Sequence, residues 1–205
     1  MLPRIRPMRL RLIKEPFDDP DYIFELKHDG FRAIAYIDTG DCRLVSRNLK
    51  TLPFKALRAS LATISVTQNA ILDGEIIVLD HSGVSQFNAL LSRKGEEIAV
   101  FYAFDLLWLD GTDLRGLPLV ERKVRLRELV RKGRCQRLLY AQHIDGAGKQ
   151  FFDQICQRDL EGVDAKRKLG VYKDDGNAWL KIKNRSYSRA EGRHELLARA
   201  RHPRL

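Results

Sequence analysis

Five short polar segments, set in order among apolar runs, constrain this chain more than any other feature. The first is Lys27-His28-Asp29-Gly30-Phe31-Arg32, inside Glu25–Ala33. The others are Ser46-Arg47-Asn48, Asp73-Gly74-Glu75, Glu161-Gly162-Val163-Asp164-Ala165-Lys166 and Trp179-Leu180-Lys181-Ile182-Lys183. One Lys-x-Asp-Gly is weak evidence, because Asp-Gly marks ordinary turns. Charged residues embedded in strands are costly unless they are paired or used. All five segments in this order are strong evidence of one shared chemistry.

The runs around them mix two periods. Tyr22–Arg32 reads as a strand entering a turn. Ala33–Ile37 and Cys42–Ser46 flank Asp38-Thr39-Gly40-Asp41 as a hairpin. Phe54, Leu57, Leu61 and Ile64 have helical spacing. Ala70–Leu79 and Val100–Leu109 are strong strands, the second stopped by Asp110-Gly111. Phe87–Leu91 reads as a short helix, and Pro118 opens a basic helix reaching about Lys132. Gly148–Asp159 is a further helix; Val163–Lys168 and Trp179–Lys183 are the last strands. The irregular mixture predicts an α+β fold rather than a doubly wound parallel sheet. Pro3, Pro7, Pro16 and Pro20 make residues 1–21 a leader packing on the core.

Lys and Arg total 37 against 27 acids, a net charge of +10 that favours a polyanionic partner. The three cysteines are widely spaced and form no Cys-x-x-Cys pair, which suggests neither a zinc site nor a disulfide framework. This fits a reduced, cytoplasmic, nucleoid-associated protein. No apolar run approaches the roughly 18 residues of a membrane span.

Read as residues, each segment has a bland alternative. Glu25, Lys27 and Asp29 share strand parity and would form one charged face. That face is either solvated or a site in which Lys27 is a nucleophile. A nucleophilic amine must be neutral, so its pKa must fall from about 10.4; burial and nearby cations such as Lys181 and Lys183 would do this. Arg32 and Arg47 are ordinary surface cations or forks for ribose and phosphate oxygens. Asp73-Gly74-Glu75 is a β-bulge or an acidic site. The aromatic run ending in Phe104-Asp105 is core or a stacking wall. Lys181 and Lys183 protect a strand edge or bind phosphate.

Taken together, the five segments resemble the covalent nucleotidyltransferases, most closely the ATP-dependent DNA ligases of the bacterial end-joining type. The resemblance runs from about Pro7 to Arg193. It implies a DNA ligase adenylation (ATP-grasp-like) fold of antiparallel sheets flanked by helices, spanning residues 22–188. It also implies that Lys27 becomes bonded to AMP, with Lys181 and Lys183 binding the α-phosphate. Arg32 and Arg47 then hold ribose or phosphate oxygens, Glu75 the ribose, and Phe104 stacks on adenine while Glu25 reads its amino group. Mg²⁺ or Mn²⁺ would be bound through Glu161, with Asp29 and Glu75 as further acids. The substrates implied are ATP and nicked or broken DNA, sealed during repair or recombination. Two positions depart from the family pattern: Asp164 replaces an apolar residue, and Leu49 stands where Gly commonly follows the Ser-Arg-Asn turn. Asp164 either pairs with Lys166, which shares its parity, or is a strained buried acid. Too few residues follow Lys183 for the OB-fold domain usual in such ligases, so residues 189–205 read as a basic tail. An OB-fold or end-joining protein would then act in trans. The same chemistry would serve an RNA ligase or capping-type enzyme, and the same basic fold a non-catalytic nucleic-acid-binding relative.

Overall fold

The computed structural model describes residues 2–173 and 179–190. Two sheets form its frame. The first has the order β1 (Arg11–Ile13), β11 (Trp179–Lys183), β10 (Gly162–Arg167), β2 (Tyr22–Leu26), β9 (His143–Asp145). The second runs β4 (Asp41–Ser46), β3 (Phe31–Asp38), β5 (Asn69–Ile77), β6 (Val100–Leu109), β7 (Thr112–Asp113). β8 (Leu138–Tyr140) joins β6 in parallel, and β1 pairs with β11 in parallel; the other pairings are antiparallel. The expected α+β class with antiparallel sheets is what the chain adopts.

Side-chain alternation sorts the strands into three cores. On β3, Ala33, Ala35 and Ile37 join a core with Leu57 and Leu61 of α1 (Lys55–Ala62) and Leu126 and Leu129 of α4 (Leu119–Gly133). The intervening Ile34 and Tyr36 point the other way, into a layer with Ile71, Phe104, Leu107 and Trp179. That layer lies between the two sheets and includes Ile5 and Met8 of the leader. The outer face of the first sheet buries Tyr22, Phe24, Val163, Ala165 and Leu180 against Ile155 of α5 (Gly148–Gln157). Two short helices, α2 (Phe87–Leu90) and α3 (Arg93–Ile98), and a 3₁₀ turn at Ser188–Ala190 complete the regular structure of the described residues.

One sequence expectation fails here. Tyr22–Arg32 is not a single strand: β2 stops at Leu26, and β3 begins at Phe31 in the other sheet. Residues 27–30 are the crossing between sheets, so Glu25, Lys27 and Asp29 do not share a strand face. Gly30 is needed in this crossing, because a Cβ there would run into the Ile76 carbonyl and lie 2.7 Å from the Ile77 side chain. The tail expected over 189–205 falls almost wholly at 191–205, outside the described residues.

Candidate active site

Parity on the first sheet turns Glu25, Asp164, Lys166, Trp179 and Lys181 away from the α5 side, whose core takes Phe24, Val163, Ala165 and Leu180. On β5, Asp73 and Glu75 share parity with Ile71, which faces the inter-sheet layer. Of these, Glu75, Asp164, Trp179 and Lys181 line a cavity of about 970 Å³, together with Lys27, Arg32, Arg47 and Phe104. Five expected nucleotide contacts (Arg32, Arg47, Glu75, Phe104 and Lys181) thus share one cavity with Lys27.

Lys27 is anchored by its backbone N–H, which donates to Gly162 O at 3.0 Å. Its Nζ donates to Glu161 Oε2 at 3.0 Å. Burial alone would depress the lysine pKa, but the fields of Glu161, Asp164 and Glu75 outweigh it and hold Lys27 above its ordinary value. This corrects the expectation of a depressed pKa: the nearest charges are acids, not Lys181 and Lys183. Lys181 itself titrates low, mainly through burial and then through Lys183 and Lys27. Lys183 is exposed and outside the cavity lining.

The Glu75 carboxyl is pushed up to about 8, chiefly by burial, with Lys27 and Arg32 opposing. Arg32 forks onto Asp73, Nε to Oδ1 at 3.1 Å and Nη2 to Oδ2 at 2.7 Å, and its Nη1 donates to Met8 O at 2.6 Å. Its guanidinium carbon lies 5.5 Å from the Phe104 ring centre and 5.4 Å from that of Trp179. Arg32 therefore ties the leader, β5 and the aromatic wall together.

Glu25 is buried and does not line the cavity. Lys123 of α4 donates to its Oε1 and Lys166 to its Oε2, the latter at 2.5 Å. The pair of lysines outweighs burial and keeps the Glu25 carboxyl below its usual range. Glu25, expected to accept from the adenine amino group, is thus held here by two lysines, one on each oxygen, and each oxygen keeps a further lone pair. Lys123 was missed by sequence reasoning, because on a basic helix nothing distinguishes the one lysine that turns inward. Lys166 stands 4.0 Å from the Phe104 ring centre and 4.1 Å from that of Trp179, so it pairs with Glu25 rather than with Asp164. Asp164 keeps a buried Oδ1 with no hydrogen-bond partner, and burial raises its pKa. Leu49, the other departure, has φ of 60°, the left-handed region that favours glycine.

Asp29 is fully buried, its N–H donating to Ser85 Oγ and its Oδ2 within 3.5 Å of the Tyr187 hydroxyl. It does not line the cavity. Among the described residues, no three acids, histidines or cysteines are grouped to hold a metal ion. The expected trio Asp29, Glu75 and Glu161 is corrected to that extent: of the three, only Glu75 lines the cavity.

Solved structures share this fold. The mycobacterial DNA ligase D complexed with ATP and MES superposes with a TM-score of 0.76 at 31% identity, over 87% of this chain and 60% of that one. The DNA ligase of bacteriophage T7, at 16% identity and a TM-score of 0.56, shares the fold over 79% of this chain and 61% of its own. The fold is that of the DNA ligase adenylation domain, a class of nucleotidyltransferase. The description "ATP dependent DNA ligase domain" matches residues 8–183, and the chain belongs to that family, on its LigD/LigB-like bacterial branch. It is 30% identical over 190 residues to the SPbeta prophage-derived DNA ligase-like protein LigB of Bacillus subtilis, covering 90% of this chain and 69% of that protein. It is 33% identical over 188 residues to the multifunctional non-homologous end joining protein LigD of Pseudomonas aeruginosa. There the match takes in 87% of this chain but 22% of the larger protein. Among the described residues no helix is long and apolar enough to cross a membrane.

Proposed function

We propose that this chain forms lysyl-AMP at Lys27 from ATP and passes the AMP to a 5′-phosphate at a break in DNA. The observation that carries this reading is the Lys27–Glu161 contact at a cavity that also presents Glu75, Lys181 and the Phe104 wall. The neutral Lys27 amine attacks the α-phosphorus; an N–P bond forms, and the bond to the bridging oxygen breaks as pyrophosphate leaves. Glu161, already bonded to Nζ, is placed to accept the amine proton. Lys181, on the same cavity wall, offsets negative charge on the transferring phosphate. A 5′-phosphate oxygen then displaces Lys27, and a 3′-hydroxyl displaces AMP.

A Mg²⁺ or Mn²⁺ ion accompanying the triphosphate would further neutralise phosphate charge. Mg²⁺ uses one or two carboxylates besides phosphate oxygens and water. Glu75, in the cavity lining, and Glu161, bonded to Lys27, suit that donor set. Phe104 offers the base an aromatic wall beside Trp179. ATP in the related mycobacterial structure supports the nucleotide assignment.

Intact mass after incubation with ATP and Mg²⁺ tests the reading. The gain of one AMP, mapped to Lys27 and lost in Lys27→Ala, is expected. An adduct on Lys181 or Lys183, or labelling by GTP in preference to ATP, would replace it with another chemistry.

A further inference from the structure

The leader has a second face that the nucleotide reading leaves unused. Residues 2–10 form no regular element, yet they are fastened to the core at three points. Ile5 N–H donates to the Tyr36 hydroxyl at 2.9 Å, and Met8 N–H donates to the Tyr172 hydroxyl at 3.1 Å. Met8 O accepts from Arg32 Nη1 at 2.6 Å. Ile5 and Met8 are buried in the inter-sheet layer. Fixing them leaves Arg6 and Arg9 exposed, and both line the Lys27 cavity.

The lining is unbalanced. Six cationic side chains, Arg6, Arg9, Lys27, Arg32, Arg47 and Lys181, share it with two acids, Glu75 and Asp164. Lys27 faces Glu161 and Arg32 faces Asp73, two acids outside the lining. Lys183 and Lys27, and to a smaller degree Arg47, disfavour charge on Lys181, so cations around this wall repel one another. Such a concentration of positive charge is relieved by an anion. Arginine forks match phosphate oxygens in shape, and a leader held at three points loses little freedom when they bind.

We propose that the leader, through Arg6 and Arg9, forms a phosphate-binding wall of the Lys27 cavity. The inference rests on the nucleotidyl-transfer reading above, since that chemistry brings phosphates to Lys27. Two sources offer the same group: the β- and γ-phosphates of the nucleotide, and the 5′-phosphate of the DNA break.

The test compares R6A/R9A with R4A/R11A, which removes the same charge from exposed leader and β1 positions outside the cavity lining. One arm measures the ATP concentration giving half-maximal lysyl-AMP formation with Mg²⁺. The other measures binding to a nicked duplex carrying a 5′-phosphate or a 5′-hydroxyl, across a salt series. Relative to R4A/R11A, R6A/R9A should raise the ATP requirement on the order of tenfold if the nucleotide tail is held. If the DNA end is held, it should instead erase the preference for the 5′-phosphate. R6A/R9A behaving as R4A/R11A in both arms overturns the inference while leaving lysyl-AMP formation intact. A wild-type chain that forms no adduct and shows no preference for the 5′-phosphate overturns both readings together.

Discussion

Lys27 Nζ and Glu161 Oε2 meet at 3.0 Å, joining the crossing between the two sheets to the residue that leads into β10. The contact holds the nucleophile and also holds its proton, since the surrounding acids raise the Lys27 pKa. Below that raised pKa the neutral fraction grows roughly tenfold per pH unit. Lysyl-AMP formation at saturating ATP should therefore climb steeply between about pH 6 and pH 9. Lys27→Arg should give no adduct, because a guanidinium does not lose its proton in this range. A flat pH–rate profile would show that nucleotide binding frees the amine before chemistry.

Asp164 is the residue whose removal should help. Its Oδ1 is buried without a partner, and its neighbours across the strands are Glu25 on one side and Lys181 on the other. Leaving such a group unsatisfied costs about 1–3 kcal/mol. Asp164→Val removes that cost and one of the acids that keep Lys27 protonated. The variant should melt several degrees higher and form lysyl-AMP faster at neutral pH. A lower melting temperature would mean that Asp164 has a stabilising role the unliganded geometry lacks.

The opposite result is expected at Lys123. It and Lys166 together neutralise the buried Glu25, and Lys123 also donates to Ala141 O at 2.9 Å. Removing one partner from a buried ionic group costs about 3–5 kcal/mol. Lys123→Ala should lower the urea midpoint accordingly. The double variant Lys123→Ala with Glu25→Gln should recover part of the loss, because the stranded charge is gone. No recovery would assign Lys123's contribution to the Ala141 bond and packing instead.

These residues also show what the sequence made legible. Apolar runs bounded by turn residues identified β3, β5 and β6, alternation identified β11, and the five polar segments marked the cavity from several elements at once. Parity failed where the chain changes sheets. Glu25 and Asp29 are four residues apart, yet one ends up between two lysines and the other beside Tyr187 and Ser85. Nothing local announces such a crossing, since Asp-Gly fits a turn within one sheet equally well. β1, β8 and β9 have three residues each, too few for a period to emerge. They exist because longer strands present edges for them. Lys123 became visible only when α4 was docked, and the leader's part in the cavity only when Tyr36, Tyr172 and Arg32 were in place.

Glu75 gives the pH signature of the unliganded cavity. Its carboxyl, pushed up to about 8 by burial, keeps its proton in the folded chain well above the ordinary carboxylate range. Between the ordinary value and about 8, the folded state therefore binds more protons than the unfolded state at this site. Stability must then fall as pH rises through that interval. The loss is fully expressed above the folded pKa and absent below the unfolded one. Glu75→Gln keeps the shape without the titration, so its advantage over the parent chain should grow from nothing near pH 4 to on the order of 1–3 kcal/mol by about pH 8. Urea denaturation at a series of pH values measures this directly. Adding ATP with Mg²⁺ should shrink the difference, because a ligand bound to ionised Glu75 favours the charged form. A Glu75→Gln advantage that is constant with pH would show that Glu75 is ionised in the folded protein and that its neighbours, Lys27 and Arg32, outweigh its burial.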